Sequence, residues 1–110
     1  MSDHLSADTN GRVEPLADLF KLLSDRTRLR ILNLLTQGER NVSSLCEELK
    51  LPQPTVSHHL GLLRMKNIIV NRRSGKQVFY GLDGQVKTGT GHLLEVHADG
   101  YTVRVVTSHG

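Results

Sequence analysis

The side chains best suited to chemistry in this chain are Ser57, His58 and His59, which together supply a hydroxyl nucleophile and two bases. Consecutive residues on a helix point in different directions, and no acidic residue lies near these three in the sequence. The pattern does not indicate a catalytic site, and we expect that the protein is not an enzyme. The same side chains are suited to hydrogen bonding with another molecule from the surface of a helix.

The segment around them predicts a helix with two different faces. One face is an apolar stripe at helical spacing, which we expect to pack on a core: Val56, His59, Leu60 and Leu63. The opposite face is small, uncharged and able to hydrogen-bond: Pro54, Ser57, His58 and Gly61. Short polar side chains near a helix N-terminus suit the base edges of a DNA major groove. We therefore predict that bases are read by Gln53, Thr55, Ser57 and His58.

Positive charge surrounds this helix. Between Lys50 and Leu82 there are six cations and no acidic residue, in a chain whose formal net charge is only +3. Such a concentration is typical of a protein that binds the phosphate backbone, and it predicts double-stranded DNA as the partner. The residues assigned to phosphate contacts are Arg64, Arg72, Arg73 and Lys76. The alternatives are an ordinary surface helix with few charges and hairpin cations that only protect an edge strand.

The composition sets limits on the protein. A chain of 110 residues, 37% of them hydrophobic, forms one domain with a modest aliphatic core. No apolar run is long enough to span a membrane, and residues 1–12 lack the apolar segment of a secretory signal. The single cysteine, Cys46, fits a reducing compartment, so we expect a cytoplasmic protein without membrane contact.

The pattern along the chain predicts an α+β fold. Residues 1–12 are expected to form a flexible tail, and Pro15 to open a helix whose broad apolar stripe can also meet a second subunit: Leu16, Leu19, Phe20 and Leu23. Two further helices follow, at about 27–36 and 42–50, the latter capped by Asn41. After the polar helix, residues 68–72 and 77–82 predict a β-hairpin with cations around its Gly75 turn.

This order of elements is that of a winged helix-turn-helix: two helices, then a helix-turn-helix, then a charged hairpin. Three segments, at residues 23–32, 55–64 and 72–82, closely resemble the ArsR/SmtB family of bacterial repressors. The resemblance implies a DNA-binding domain over residues 13–82, acting as a homodimer on palindromic operator DNA. It also implies release by a metal, a metalloid or a redox signal. The alternative is a winged-helix module that binds protein and has no effector site.

Two features depart from the family pattern. Arsenic-sensing members carry Cys-Val-Cys at the start of the third helix, where this chain has Asn41, Val42 and Ser43. We therefore expect no arsenite site of that type, and we assign Cys46 to the buried face of its helix rather than to a ligand or redox role. The family's long C-terminal helix is also missing. We predict a Gly-rich linker over 83–91 and a β-hairpin over 92–110, turning at Asp99-Gly100, against a short helix over 92–98.

The predicted hairpin could contribute to the dimer interface, because its apolar face needs a surface to pack on. Metal binding is the other expectation for this segment. The candidate ligands for zinc or a similar divalent ion are His92, His97 and His109. His92 and His97 would point to opposite faces of one strand, so a site would need donors from two subunits, such as His97 with Asp3 or His4. Solvated surface histidines are the alternative.

Overall fold

In the computed structural model, which describes residues 2–84, 86–89 and 92–106, four helices and two small sheets follow one another. The helices are α1 (Ser2–Leu23), α2 (Arg26–Leu35), α3 (Val42–Leu49) and α4 (Gln53–Met65). The strands are β1 (Arg40–Asn41), β2 (Ile69–Ser74), β3 (Gln77–Leu82), β4 (Val86–Gly89), β5 (His92–Ala98) and β6 (Tyr101–Val105). The first sheet has the order β1-β3-β2 and the second β4-β5-β6, so the predicted α+β winged helix-turn-helix is confirmed.

The helix ends follow from local capping. The Asp25 side chain accepts a hydrogen bond from the backbone N–H of Arg28 and so caps α2, and Asn41 caps α3 in the same way through Ser44. Lys50 takes the left-handed conformation after α3 at a φ of 57°, and Asn67 does the same after α4 at 59°. The turn at Lys50 connects α3 to α4, and these two helices form the predicted helix-turn-helix.

Two expectations for the flanking segments are wrong. Residues 1–12 were expected to form a flexible tail, but α1 begins at Ser2 and passes through Pro15. A proline inside a helix removes one backbone donor and costs stability without necessarily ending the helix. Residues 83–91 were expected to form only a linker, but β4 pairs with β5, and Val86 opposite Val96 is buried. The predicted C-terminal hairpin is therefore part of a three-stranded sheet, called the C-terminal sheet below.

The C-terminal hairpin turns at Asp99-Gly100, as predicted. Ala98 pairs with Tyr101 across the turn, and Val96 and Leu94 pair with Val103 and Val105. Asp99 and Gly100 both have positive φ, at 54° and 82°, as a two-residue type I′ turn requires. The hairpin, rather than the alternative helix over 92–98, is therefore the structure of this segment.

One aliphatic core holds the fold together. Its helical members include Leu19, Ile31, Leu32, Leu45, Val56, Leu60 and Leu63, and the C-terminal sheet adds Val86, Leu94 and Val96. The buried residues of α4 are Val56, Leu60 and Leu63, three of the four members of the predicted apolar stripe, so the core fixes which side of α4 faces outward. None of the helices in the described ranges is long and apolar enough to cross a membrane.

Candidate nucleic-acid interface

The polar face of α4 is open to solvent. Gln53, Ser57 and His58 are exposed and Thr55 is half-buried, on the side of α4 away from Leu60 and Leu63. The side chains of Gln53, Thr55 and Ser57 form no hydrogen bond within the described part of the chain. Their donors and acceptors are therefore available to a bound molecule, as base readout requires.

The N-terminus of α4 is open as well. Pro52 occupies the N-cap position without a side-chain hydrogen bond to the helix, and the first turn contains no acidic residue. The first N–H groups of a helix carry the positive end of its dipole and attract anions. In α2 and α3 the equivalent groups are capped by Asp25 and Asn41. Of the three helices after α1, α4 has the start that is left available to an external acceptor such as a phosphate.

His59 points into the protein, as the apolar stripe predicted, but it is a polar contact rather than an apolar core residue. Its side chain is 14% exposed, and its Nδ1 lies 3.2 Å from a guanidinium nitrogen of Arg28. Arg28 Nε also donates to the carbonyl of Leu22 at 2.6 Å, and Arg28 Nη2 donates to that of Lys21 at 3.4 Å. Arg28 thereby joins the end of α1 and the start of α2 to α4.

This junction could not be found from the sequence. Arg28 and His59 lie 31 positions apart, and no local pattern relates them. Asp25 completes the group, with its carboxylate 3.9 Å from His59 Nδ1. The backbone N–H of Arg28 is the main reason that the pKa of Asp25 lies below its usual value. The junction holds the orientation of α4 relative to the other helices.

The β2–β3 hairpin, called the wing below, presents cations beside α4. Ser74 pairs with Gln77, so Gly75 and Lys76 form the turn, and Gly75 has a φ of 64°. Arg73 and Lys76 are exposed, as is Arg64 in the last turn of α4. Among the described residues, none makes an ion pair or side-chain hydrogen bond with these three cations. All three are free to make the phosphate contacts that remain predictions for them.

Arg72, the fourth predicted phosphate contact, has a different environment. Its Nη2 lies 2.7 Å from Glu39 Oε1, and its Nε lies 3.0 Å from both carboxylate oxygens. The guanidinium also lies over the Phe79 ring, 5.0 Å from the centroid. The hydrogen bonds from Arg72 lower the pKa of Glu39, and the same contact raises the pKa of Arg72. Arg72 is thus already paired with an acid within the protein.

The wing is fixed to the helix-turn-helix by β1. Arg40 and Asn41 pair with Tyr80 and Phe79, directly before α3 begins. The Asn41 side-chain amide also donates to Gln77 Oε1 at 2.8 Å. The wing and the α3–α4 pair therefore share one rigid attachment, so their outward groups keep a defined relative position.

The predicted dimer residues divide into two pairs. Leu19 and Leu23 are buried in the protein's own core, whereas Phe20 is 52% exposed and Leu16 is half-buried. A broad apolar stripe on α1 was interpreted as one surface, but α2 and the rest of the core already cover one side of it. Phe20 and Leu16 are the two of these four residues that a second subunit could reach.

The predicted metal ligands are not brought together in the described part of the structure. His97 Nε2 lies 2.6 Å from Glu95 Oε2, and His97 Nδ1 lies 3.0 Å from the Thr102 hydroxyl. The side chain of His92 and the whole of His109 fall outside the described residues, as do the side chains of Asp3 and His4. No group of three or more ligand-type side chains occurs among the residues described. Cys46 is half-buried against the core, as assigned.

Comparison with known proteins agrees with this geometry. The sequence model of a family described as "Bacterial regulatory protein, arsR family" matches residues 25–70. An uncharacterized HTH-type transcriptional regulator of Methanocaldococcus jannaschii is 44% identical over 78 residues, covering 69% of this chain and 88% of that protein. The arsenical resistance operon repressor of Escherichia coli is 40% identical, covering 70% of this chain and 67% of that protein.

Solved structures show the same architecture. A homodimeric winged helix-turn-helix DNA-binding domain from Mycobacterium bovis, a possible ArsR-family regulator, superposes with a TM-score of 0.63 at 30% identity. The match covers 69% of this chain and 70% of that one. That relative is likewise a winged helix-turn-helix.

Proposed function

The chain belongs to the arsR family of bacterial regulatory proteins, and we propose that it is a transcriptional repressor that binds operator DNA as a homodimer. One observation carries the proposal. The polar face of α4 and the cations Arg64, Arg73 and Lys76 have no hydrogen-bonding or charged partner within the described part of the protein. Exposed donors beside partnerless cations fit base edges flanked by phosphates.

The two groups of residues have different roles in this proposal. Gln53, Thr55, Ser57 and His58 read base edges from the major groove, while Arg64, Arg73, Lys76 and the open N-terminus of α4 contact phosphate. Phosphate contacts position the protein and base contacts give sequence preference. The family consists of DNA-binding regulators rather than enzymes, and action on DNA supports a cytoplasmic location for the protein.

A dimer is needed because one short helix reads too few base pairs. Two copies of α4 reach successive major grooves when they lie about 34 Å apart, one helical turn of DNA. The Mycobacterium bovis relative is homodimeric, and exposed Phe20 with Leu16 on α1 supplies an apolar contact for a second copy. The expected result is a dimer in sedimentation at micromolar concentration, weakened by Phe20→Ser. A wild-type monomer under those conditions would contradict the proposal.

An effector remains a separate proposal. The family resemblance favours release by a metal ion, with zinc at His92, His97 and His109 as the candidate. The two nitrogens of His97 already contact Glu95 and Thr102, so binding would have to displace those contacts. The absence of Cys-Val-Cys argues against arsenite as the ligand.

The decisive experiment is capture of genomic DNA fragments by the purified protein, repeated with a panel of divalent metal ions and with arsenite. We expect a small set of palindromic fragments, bound less tightly as salt rises. If zinc is the effector, it should release them, and His97→Ala should abolish that release. Capture of protein but not DNA, insensitive to salt, would instead support the protein-interaction module.

A further inference from the structure

Glu39 lies in the loop between α2 and β1, and its side chain crosses the wing to reach Arg72 on β2. The path runs over Gly81 of β3, where a Cβ atom would lie 3.3 Å from Glu39 Cγ. Arg72 pairs directly with Phe79 across the two strands, and Phe79 and Gly81 lie on one face of β3. Because Gly81 has no side chain, the Glu39 side chain can pass over β3, and its carboxylate can reach the guanidinium of Arg72.

The next residue along β2 has no such partner. Arg73 points to the opposite face of the wing, because successive side chains of a strand alternate. It forms no ion pair with any residue in the described ranges, and it is exposed. The two adjacent arginines thus differ in one respect that matters for DNA binding. Arg72 must leave its carboxylate before it can contact phosphate and release a counterion, whereas Arg73 has no carboxylate to leave in the described part of the chain.

We propose that Glu39 restrains Arg72 from the DNA backbone and thereby limits the sequence-independent affinity of the wing. The inference rests on the proposed DNA-binding function and concerns how much of that affinity comes from phosphate contacts. The charge that acts on DNA from the wing is then that of Arg73 and Lys76, while Arg72 and Glu39 together contribute none. A repressor that binds all DNA less tightly leaves more of its affinity to the base contacts of α4.

The restraint is reversible by a single change of charge. Glu39→Gln keeps the size of the side chain and removes the negative charge, so the positive charge of Arg72 is no longer balanced by a carboxylate and can act on the DNA backbone. Each additional phosphate contact steepens the dependence of log K on log salt by about 0.9. We expect Glu39→Gln to bind any duplex several-fold more tightly at about 0.1 M salt, with that steeper slope.

The experiment measures fluorescence anisotropy of a labelled random-sequence duplex of about 30 base pairs, long enough for two half-sites. Four proteins are compared over a salt series: wild type, Glu39→Gln, the double variant Glu39→Gln/Arg72→Gln, and Glu14→Gln. Glu14 lies exposed on α1 and forms no ion pair or hydrogen bond in the described structure, so its variant changes net charge equally without touching the wing. Thermal unfolding of each protein confirms that all four are folded.

The proposal predicts a steeper slope for Glu39→Gln only, with the double variant and Glu14→Gln matching the wild type. An unchanged slope in Glu39→Gln overturns it, and so does a shallower slope in the double variant, which would mean that Arg72 already contacts phosphate. Equal steepening in Glu39→Gln and Glu14→Gln overturns it too, because net charge alone would then suffice. A wild type without salt-dependent DNA binding contradicts the proposed function itself, which separates the two failures.

Discussion

The recognition region, residues 50–82, and the C-terminal sheet differ in their balance of acidic and basic residues. The first contains six cations and no acid, whereas residues 86–106 contain two cations, Lys87 and Arg104, and two acids, Glu95 and Asp99. In the C-terminal sheet, Glu95 accepts from Arg104 at 2.9 Å and contacts His97 at 2.6 Å. In the recognition region, Arg64, Arg73 and Lys76 have no partner among the described residues.

Charged side chains of the C-terminal sheet therefore stabilise the fold, whereas the unpaired cations of the recognition region are available to bind a ligand. Glu95 and Arg104 are opposite each other in the β5–β6 register, and their attraction is satisfied within the protein. Cations without an acid nearby repel one another and become favourable only against an external anion. Arg72 is the exception within the recognition region, because its acid, Glu39, comes from a loop outside it.

The largest expected effect tests whether the two regions share one core. Leu94 in the C-terminal sheet is 3% exposed, and Leu63 beneath the recognition surface is fully buried. We expect Leu94→Ala and Leu63→Ala each to lower the free energy of unfolding by about 2–5 kcal/mol in urea denaturation. Loss of the C-terminal sheet alone in Leu94→Ala, with the helices unfolding at the wild-type midpoint, would show two independent units.

The next effect contrasts two neighbouring histidines of α4. His58 is exposed on the polar face, so His58→Ala should weaken operator binding by about 1–3 kcal/mol without changing the melting temperature. His59 contacts Arg28, so His59→Ala should mainly lower stability, by about 1–2 kcal/mol. Titration of a captured operator fragment and thermal unfolding measure the two quantities. The reverse assignment of effects would mean that α4 binds DNA through another face.

A smaller effect compares one arginine from each region. Arg73→Ala should make the salt dependence of DNA binding shallower by roughly 0.9, equally for operator and random duplexes. Arg104→Ala removes the same charge from the C-terminal sheet, where Glu95 already pairs with it, and should leave the slope unchanged. The same salt titration serves both variants. If the two slopes change equally, long-range net charge rather than contact with phosphate explains the binding.

The sequence predicted those parts of the molecule that depend on neighbours in the chain. Asp99-Gly100 fixes a two-residue turn, and the alternation on either side then determines every pair of the β5–β6 register. The polar face of α4 was readable for the same reason, because helical spacing relates residues three and four apart.

Contacts between distant segments were not readable in this way. Glu39 and Arg72 lie 33 positions apart, and nothing near Arg72 in the sequence marks it as paired. The pairing of β4 with β5 likewise gives structure to a segment rich in glycine, whose own propensity for a strand is low. Burial of Leu19 and Leu23 depends on which elements pack against α1, and the apolar stripe of α1 does not by itself predict those elements.

The smallest expected effect concerns acid stability in the C-terminal sheet. The hydrogen bonds from Arg104 and then from His97 lower the pKa of Glu95 below its usual value. A carboxyl group with a lowered pKa in the folded state stabilises the protein above the pKa of the unfolded chain, and this contribution is lost as pH falls through the folded pKa.

The wild type should therefore lose this stabilising contribution below about pH 4, and Glu95→Gln, which has no carboxyl group at this position, should show no such loss. The effect is small because solvent screens a pair at the surface. Unfolding midpoints between about pH 3 and 7 measure it. A Glu95→Gln profile parallel to that of the wild type would mean that the Glu95–Arg104 pair contributes nothing to folding, and the contrast between paired and unpaired charge would then be geometric rather than energetic.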